Sequence, residues 1–346
     1  MLESNVRTDI AALGEFGLIQ HLIDHFPTKQ KTTVLGPGDD AAVLQRDSKT
    51  YGLLSTELWL EGVHFDLAFH PLKHLGFKLV VAGISDILAM NGKPEQIWVN
   101  LGLSNRFSLE AVEELYAGIQ IACEQYGLDL AGGDTTSSRS GLSLSIQAYG
   151  WVDKKKITKR SGAKPGDLLC VSGDLGGAYM GLQILEREKR VFAEHPDMQP
   201  DLEPYDYIVG RQLKPDARLD VIKHWEDLGV VPTSAMDVSD GVASELRHMA
   251  KLSGVGFDVY EEKLPIDPQT LDTAVCFDLN PSVVALNGGE DYEMVFTVAQ
   301  SDYEKIHKHV DFSVIGHATE LKDQIRLVTR AGSAFEVKAQ GWPQTH

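Results

Sequence analysis

Apolar and polar positions in this chain fall into short runs that alternate between two periods. Residues 14–26 carry apolar side chains at Phe16, Leu18, Ile19, Leu22, Ile23 and Phe26 and stop at Pro27, which predicts a short helix. Residues 41–44 and 51–56 read as strands on either side of a polar turn at 46–49. Leu79, Ala82, Gly83, Asp86, Ile87 and Met90 recur at three- and four-residue steps, so a helix is expected over 79–90, closed by Asn91-Gly92. Ser108 is placed to cap a helix over 109–126, with Leu109, Val112, Leu115, Tyr116, Ile119 and Cys123 on one stripe before Gly127. Leu142, Leu144, Ile146 and Ala148 alternate with polar residues, the period of a half-buried strand.

A cluster of basic residues, Gly and Pro over 154–166 marks the expected boundary between two domains, 1–153 and 154–346. Beyond it the pattern predicts a strand at 168–171, helices at 177–189, 217–228 and 242–252, and strands at 257–260, 293–298, 313–315 and 325–328. Residues 191–204, polar with several prolines, read as a surface loop. Strands and helices without strict alternation point to α+β layers in each half. No GxGxxG follows a strand and no GxxxxGK[ST] occurs, which disfavours a Rossmann or P-loop fold.

Length and composition fit a globular protein: 346 residues, 43% hydrophobic and 24% charged, enough for two domains of ordinary size. The formal net charge of -18 argues against a nucleic-acid partner, because binding to a polyphosphate backbone draws on clustered Lys and Arg. Cys123, Cys170 and Cys276 lie far apart with no CxxC spacing, so neither a disulfide framework nor a thiolate metal site is indicated and a reducing cytoplasm is expected. Residues 1–10 lack the apolar core of a signal peptide, and no apolar run approaches the roughly 18 residues of a membrane span, so no membrane association is expected.

Candidate chemistry sits in five clusters: Gly36-Pro37-Gly38-Asp39-Asp40, Ser85-Asp86, Gly132-Gly133-Asp134-Thr135-Thr136, Asp237-Val238-Ser239-Asp240-Gly241 and Gly288-Gly289-Glu290-Asp291-Tyr292. Oxygen donors without neighbouring His or Cys suit hard cations such as Mg²⁺, and glycine lets a backbone approach a ligand. Each has a plain alternative: a polar turn at Asp39-Asp40, a helix cap at Asp237 to Asp240, a bulged turn at 288–291. Recurrence beside strand-like runs favours convergence on one cavity holding two or more Mg²⁺ ions. His64 taken alone reads as a packed or surface histidine before a catalytic one, and Arg160, with Lys159 and Lys164, as a polyphosphate contact or a solvated linker. The pair His21 and His25 has helical metal-pair spacing but no third ligand nearby, and no GxSxG element supports a nucleophilic serine.

Taken in order, GEFGLI, GPGDDAAVL, STELWLEGVHF, SDILAMNGKP, GGDTTSS, KRSGAKPGD, DVSDG, NGGEDYEMVF and a terminal GW closely resemble the thiamine-monophosphate kinase family, within the superfamily of aminoimidazole-ribonucleotide synthetase and selenophosphate synthetase. The resemblance runs from Gly14 to Trp342. It implies a two-domain α+β subunit, the N-terminal mixed sheets of two copies forming a barrel in a homodimer and the C-terminal α/β sandwich completing the site. It further implies Mg²⁺-dependent transfer of the ATP γ-phosphoryl group to thiamine monophosphate. By resemblance Asp40, Ser55, Thr56, Asp86, Asp134, Asp237 and Asp240 hold the Mg²⁺ ions, with Glu57 standing where Asp is usual. Tyr116, Gly133, Arg160 and Ser239 match the ATP side; His64, Glu290 and Trp342 match the substrate side. No side chain is assigned a catalytic role beyond placing metal and phosphate. Gly83 stands where Asn is usual and Glu245 where Asp is usual, departures that also fit a nucleotide-binding paralogue without activity. Selenophosphate synthetase would want a reactive cysteine near the N-terminus, yet the first is Cys123. The maturation-factor relatives end in a cysteine that the tail, 340–346, lacks.

Overall fold

The computed structural model describes residues 14–23 and 25–337. Its first half runs α1 (Gly14–Ile23), β1 (Thr33–Leu35), β2 (Ala42–Gln45), β3 (Thr50–Leu60), α2 (Leu72–Ala89), β4 (Lys93–Leu103), α3 (Leu109–Tyr126), β5 (Asp129–Ser137) and β6 (Ser143–Asp153). The second half runs β7 (Leu168–Ser172), α4 (Gly177–Glu194), α5 (Asp206–Leu213), α6 (Leu219–Leu228), β8 (Ser234–Asp237), α7 (Val242–Ser253) and β9 (Gly256–Tyr260). It ends with α8 (Pro268–Cys276), α9 (Pro281–Asn287), β10 (Met294–Val298), α10 (Tyr303–Ile306), β11 (Phe312–Thr319), β12 (Ile325–Val328) and β13 (Ala334–Glu336). Two mixed sheets result, ordered β1-β2-β3-β6-β4-β5 and β13-β12-β9-β11-β7-β10-β8. Each is antiparallel except for one parallel pair, β4 with β5 and β12 with β9. This is the α+β arrangement that the sequence pattern predicts.

The longest pairing joins β3 to β6 from Thr50 against Asp153 to Leu60 against Ser143. Alternation in β6 turns Leu144, Ile146, Ala148 and Val152 onto the face covered by α2 and leaves Ser143, Ser145 and Gln147 on the other face. Helix α2 begins seven residues before the expected 79–90 because Leu75, Phe77 and Lys78 are buried along with Leu79 to Ser85. A helix enclosed on all sides shows no single stripe, so the period alone misplaces its start. Helix α3 matches its prediction: the Ser108 hydroxyl accepts from the Ala111 amide at 3.3 Å and Gly127 closes it at φ 69°. The Gly-rich run 132–136, to which the pattern assigns no element, is part of edge strand β5, exposed at every position and therefore without apolar alternation. One reading needs correction: helix α4 reaches Glu194, into the stretch read as loop. The pattern assigns no element to 93–103, where β4 runs between β6 and β5.

Helices α2 and α3 pack through glycine. A Cβ on Gly118 would lie 1.8 Å from the Lys73 carbonyl oxygen, and one on Gly76 2.0 Å from that of Leu115, so the two backbones touch where no side chain fits. Gly118→Ala is expected to cost about 1–3 kcal/mol, the range for forced overpacking. A fall in the urea midpoint checks this, against Gly210→Ala, where nothing lies within 4 Å and the midpoint should hold or rise.

One apolar core spans both halves, joining Phe77, Leu79, Ile84 and Ile146 of the first to Trp225, Tyr292, Phe296 and Phe312 of the second. Smaller cores lie under α7 and β9, and among α4, α5 and α8.

Candidate active site

Where α2 passes between the two sheets, the 39–40 turn, the C-terminal half of α2 and the end of β8 deliver three carboxylates to one point. An oxygen from each of Asp40, Asp86 and Asp237 lies within 4.8 Å of the others, with Asp40 and Asp237 buried. Asp40 is gripped on one side only: Arg160 reaches its Oδ1 through Nε and Nη2 at 3.0 Å, while Oδ2 is buried without a hydrogen-bond partner. The Arg160 amide donates to Asp39 Oδ1 at 3.0 Å, so Asp39 shapes the turn and Asp40 faces inward. Beside the trio opens a cleft of about 590 Å³ lined by Glu57, His64, Asp86, Arg160, Asp237, Ser239, Asp240 and Glu290. Those eight residues are all among the sequence candidates.

Local structure explains how each arrives. On β3, alternation puts Ser55, Glu57 and Trp59 on the α2 face; the buried Ser55 hydroxyl donates to the Gly83 carbonyl at 2.7 Å, tying strand to helix. Gly83 leaves room for that approach, since a Cβ there would meet the Ile146 side chain at 2.9 Å. Glu245, in the first turn of α7, accepts the Asp240 amide at 3.0 Å and fixes the loop that carries Asp240 into the cleft. The 288–292 segment divides its labour. Glu290 enters the cleft while Asp291 turns away to receive the amides of Gly176 and Ala178 at 2.6 and 3.2 Å, at the N-terminus of α4. Glu290 and Tyr292 both hold positive φ, 64° and 52°, a conformation uncommon for residues with a side chain and concentrated at binding sites.

Three partners here escape the motif reading. Lys78 of α2, fully buried, places Nζ 3.1 Å from Glu290 Oε1 and 2.7 Å from the Gln212 carbonyl, and Gln212 Nε2 donates to Glu290 Oε2 at 2.8 Å. Trp59 stacks nearly parallel to His64 at 6.4 Å, and His64 Nδ1 accepts the Leu60 amide at 3.1 Å. Burial in the cleft lowers the His64 pKa. None of them stands out in the sequence: Trp59 lies within STELWLEGVHF without a role, Lys78 precedes the helix expected at 79–90, and Gln212 falls in no motif.

Other candidates stand apart. Thr56 faces the opposite side of β3, and Asp134, with Gly133 beside it, lies exposed on β5. Register joins them: Thr56 pairs with Gln147, and Asp134 with Asn100, whose amide meets Gln147 at 3.0 Å, so they share a polar strip on the open face of the first sheet. Tyr116 sits half-buried on α3. Trp342 lies outside the described residues.

Crowding of like charge sets the electrostatics. Burial, and then the neighbouring acids, push the Asp40 and Glu57 carboxyls up to about 7, Asp86 well above the carboxylate range, and Asp237 and Asp240 upward. Arg160 opposes this for Asp40 and is itself held charged by Asp40 against its burial. In the unfolded chain Asp40 and Glu57 lose their protons near 3.8 and 4.5, whereas the metal-free fold retains them to about 7. The fold therefore binds more protons across that window, and its stability falls as pH rises through it. Calorimetry of metal-free protein should show a lower melting temperature at pH 8 than at pH 5, with Mg²⁺ raising the pH 8 value far more than the other.

Two layered α+β halves around a cleft of converging carboxylates define the class: the chain belongs to the AIR synthase related protein family, its N-terminal domain matching residues 38–152 and its C-terminal domain residues 164–328. Within that class it is similar to proteins named thiamine-monophosphate kinase. The one from Aquifex aeolicus is 33% identical over 309 residues, covering 89% of this chain and 92% of the relative; that of Escherichia coli K12 is 33% identical over 317 residues, covering 89% and 91%. A solved structure titled "AaThiL complexed with AMPPCP and TMP" superposes with a TM-score of 0.82 at 30% identity, covering 98% of this chain and all of that one.

Proposed function

We propose that this chain transfers the γ-phosphoryl group of ATP to the phosphate of thiamine monophosphate, giving thiamine diphosphate and ADP. The observation that carries the reading is the polarity of the cleft. Three carboxylates and Arg160 converge there, and the same lining brings the rings of Trp59, Phe65 and Phe69 together with Asp66, Glu186 and Glu290. Aromatic faces beside carboxylates favour a cationic heteroaromatic ring such as a thiazolium.

The acidic trio fits Mg²⁺. Its donors are oxygens, one of them, Asp40 Oδ2, is buried without a partner, and its carboxyls repel one another unless a cation lies between them. Asp40, Asp86 and Asp237, with Glu57 and Asp240 of the cleft lining, would hold the metal, whose charge would offset that of the phosphates. The protein's own task is placement. Arg160 orients phosphate oxygens, Glu290 fixes the substrate's cationic ring, and His64 with Trp59 packs along it. A phosphate monoester has its second pKa near about 6 and is mostly a dianion at neutral pH, so its oxygen attacks the γ-phosphorus without a general base while the bond to ADP breaks. In-line alignment supplies much of the acceleration.

The polar strip carrying Thr56 and Asp134 supports a second copy of the chain on the open face of the first sheet, where Leu54, Leu58 and Leu60 of β3 are also exposed. In that homodimer Gly133 and Tyr116 would serve the ATP side and Asp134 would add a metal ligand. No helix among the described residues is long and apolar enough to cross a membrane, which agrees with a cytoplasmic enzyme.

Purified protein given MgATP and thiamine monophosphate should form thiamine diphosphate and ADP in equal amounts. ATP binding without product would instead favour a non-catalytic nucleotide-binding protein, the reading that Glu57 in place of Asp allows.

A further inference from the structure

Apart from the cleft, the described residues bring one other set of metal-ligating side chains together: His224 of α6 with His309 and Asp311 of the turn entering β11, one ligand atom from each lying within 4.8 Å of the others. Both imidazoles aim at the same carboxylate oxygen. Asp311 Oδ2 is 3.7 Å from His224 Nδ1 and 3.9 Å from His309 Nδ1. Ligands held at about 2.0–2.2 Å around one tetrahedral ion lie roughly 3.3–3.5 Å apart, so little movement closes the set.

The cluster is held in place by packing. Trp225, next to His224, is fully buried and fixes the rotation of α6; the His309 ring stacks on Phe312 at 4.6 Å, and the two histidine rings are 4.3 Å apart. Backbone bonds pin the turn: His309 N to Ile306 O at 3.0 Å, Phe312 N to His309 O at 3.2 Å, and Gly173 N to Asp311 O at 3.0 Å. The Asp311 amide donates to His309 Nδ1 at 3.4 Å, so this nitrogen carries the ring's lone pair, and an ion bound there would replace that long hydrogen bond. His224 Nδ1 is buried and makes no hydrogen bond, an expensive state for a polar atom beside a carboxylate unless something bridges them.

We propose that His224, His309 and Asp311 form a second metal site, for a divalent transition ion of the Zn²⁺ class, joining α6 to the start of β11. Two imidazoles and one carboxylate are a borderline-soft donor set, unlike the oxygen-only set of the cleft, so the two sites sort metals by chemistry. None of the three residues lines that cleft. The site acts by linkage: an ion that binds the folded chain and not the unfolded one stabilises it.

The test is titration of metal-free protein with Zn²⁺ in excess Mg²⁺, which occupies the oxygen site. One equivalent should bind and raise the melting temperature, and His224→Gln or His309→Gln should weaken that binding by at least about tenfold, in line with losses on perturbing metal shells. Phosphotransfer with MgATP should be unchanged in both variants. Zn²⁺ binding of equal strength in wild type and both variants, or no binding in wild type, would overturn the site. If a variant fails to fold, an anomalous difference map of Zn²⁺-soaked wild-type crystals decides: a peak between the three side chains supports the site, and its absence rejects it.

Discussion

Asp237→Asn is expected to lose about 10²- to 10³-fold in kcat, the scale seen when one preorganised electrostatic group is removed from a reaction centre. The same change should raise stability. Asp237 is buried against Asp40 and Asp86, its charge opposed by burial, and its negative charge raises the pKa of both neighbours. A neutral amide relieves that repulsion, so the metal-free variant should melt above metal-free wild type and respond less to added Mg²⁺. Calorimetry with and without Mg²⁺, beside steady-state rates, reads both effects. A variant that loses activity and stability together would mean that Asp237 is a structural group and that the acidic trio is not a metal site.

Glu290→Ala should be the most destabilising change in the cleft. Lys78 has no exposed side-chain surface, and Glu290 is its one ion-pair partner among the described residues. Removing one side of a buried pair costs about 3–5 kcal/mol, because the remaining charge has neither water nor counter-ion. Glu290 retains 28% exposure, which places the expectation toward the lower end. Pairing the change with Lys78→Met should restore most of the stability, since no orphaned charge remains. It should not restore the KM for thiamine monophosphate, because the carboxylate facing the substrate is still missing. Urea unfolding of the two single variants and the double variant, with KM for each active one, separates these roles. Equal stability of Glu290→Ala and the double variant would dismiss the buried-pair account.

Much of this site was legible because its parts are local. Carboxylates set among Gly, Ser and Thr, repeated next to apolar runs, mark Asp40, Asp86 and Asp237 without knowledge of the fold, and these three converge. What stayed hidden depends on partners distant in sequence. Lys78 meets the Gln212 carbonyl 134 positions away, and nothing near either residue records the contact. Asp134 illustrates the opposite limit: its motif is as rich as the others, yet it lies on an exposed edge strand, apart from the three carboxylates that converge. Among elements, α3 could be read from one stripe and two caps, whereas α2, enclosed along most of its length, shows no single stripe to mark its start, and in β4 the alternation of Ile97, Val99 and Leu101 is blurred by the apolar Trp98 on the other face.

The core that runs from Phe77 and Ile146 into Trp225 and Phe296 constrains how the cleft works. Halves joined by such a seam cannot swing apart like a clamshell without exposing fully buried side chains, so nucleotide and acceptor must enter a mouth that is already open. Adjustment on binding then falls to short loops at the rim, and turnover proceeds in a nearly rigid vessel.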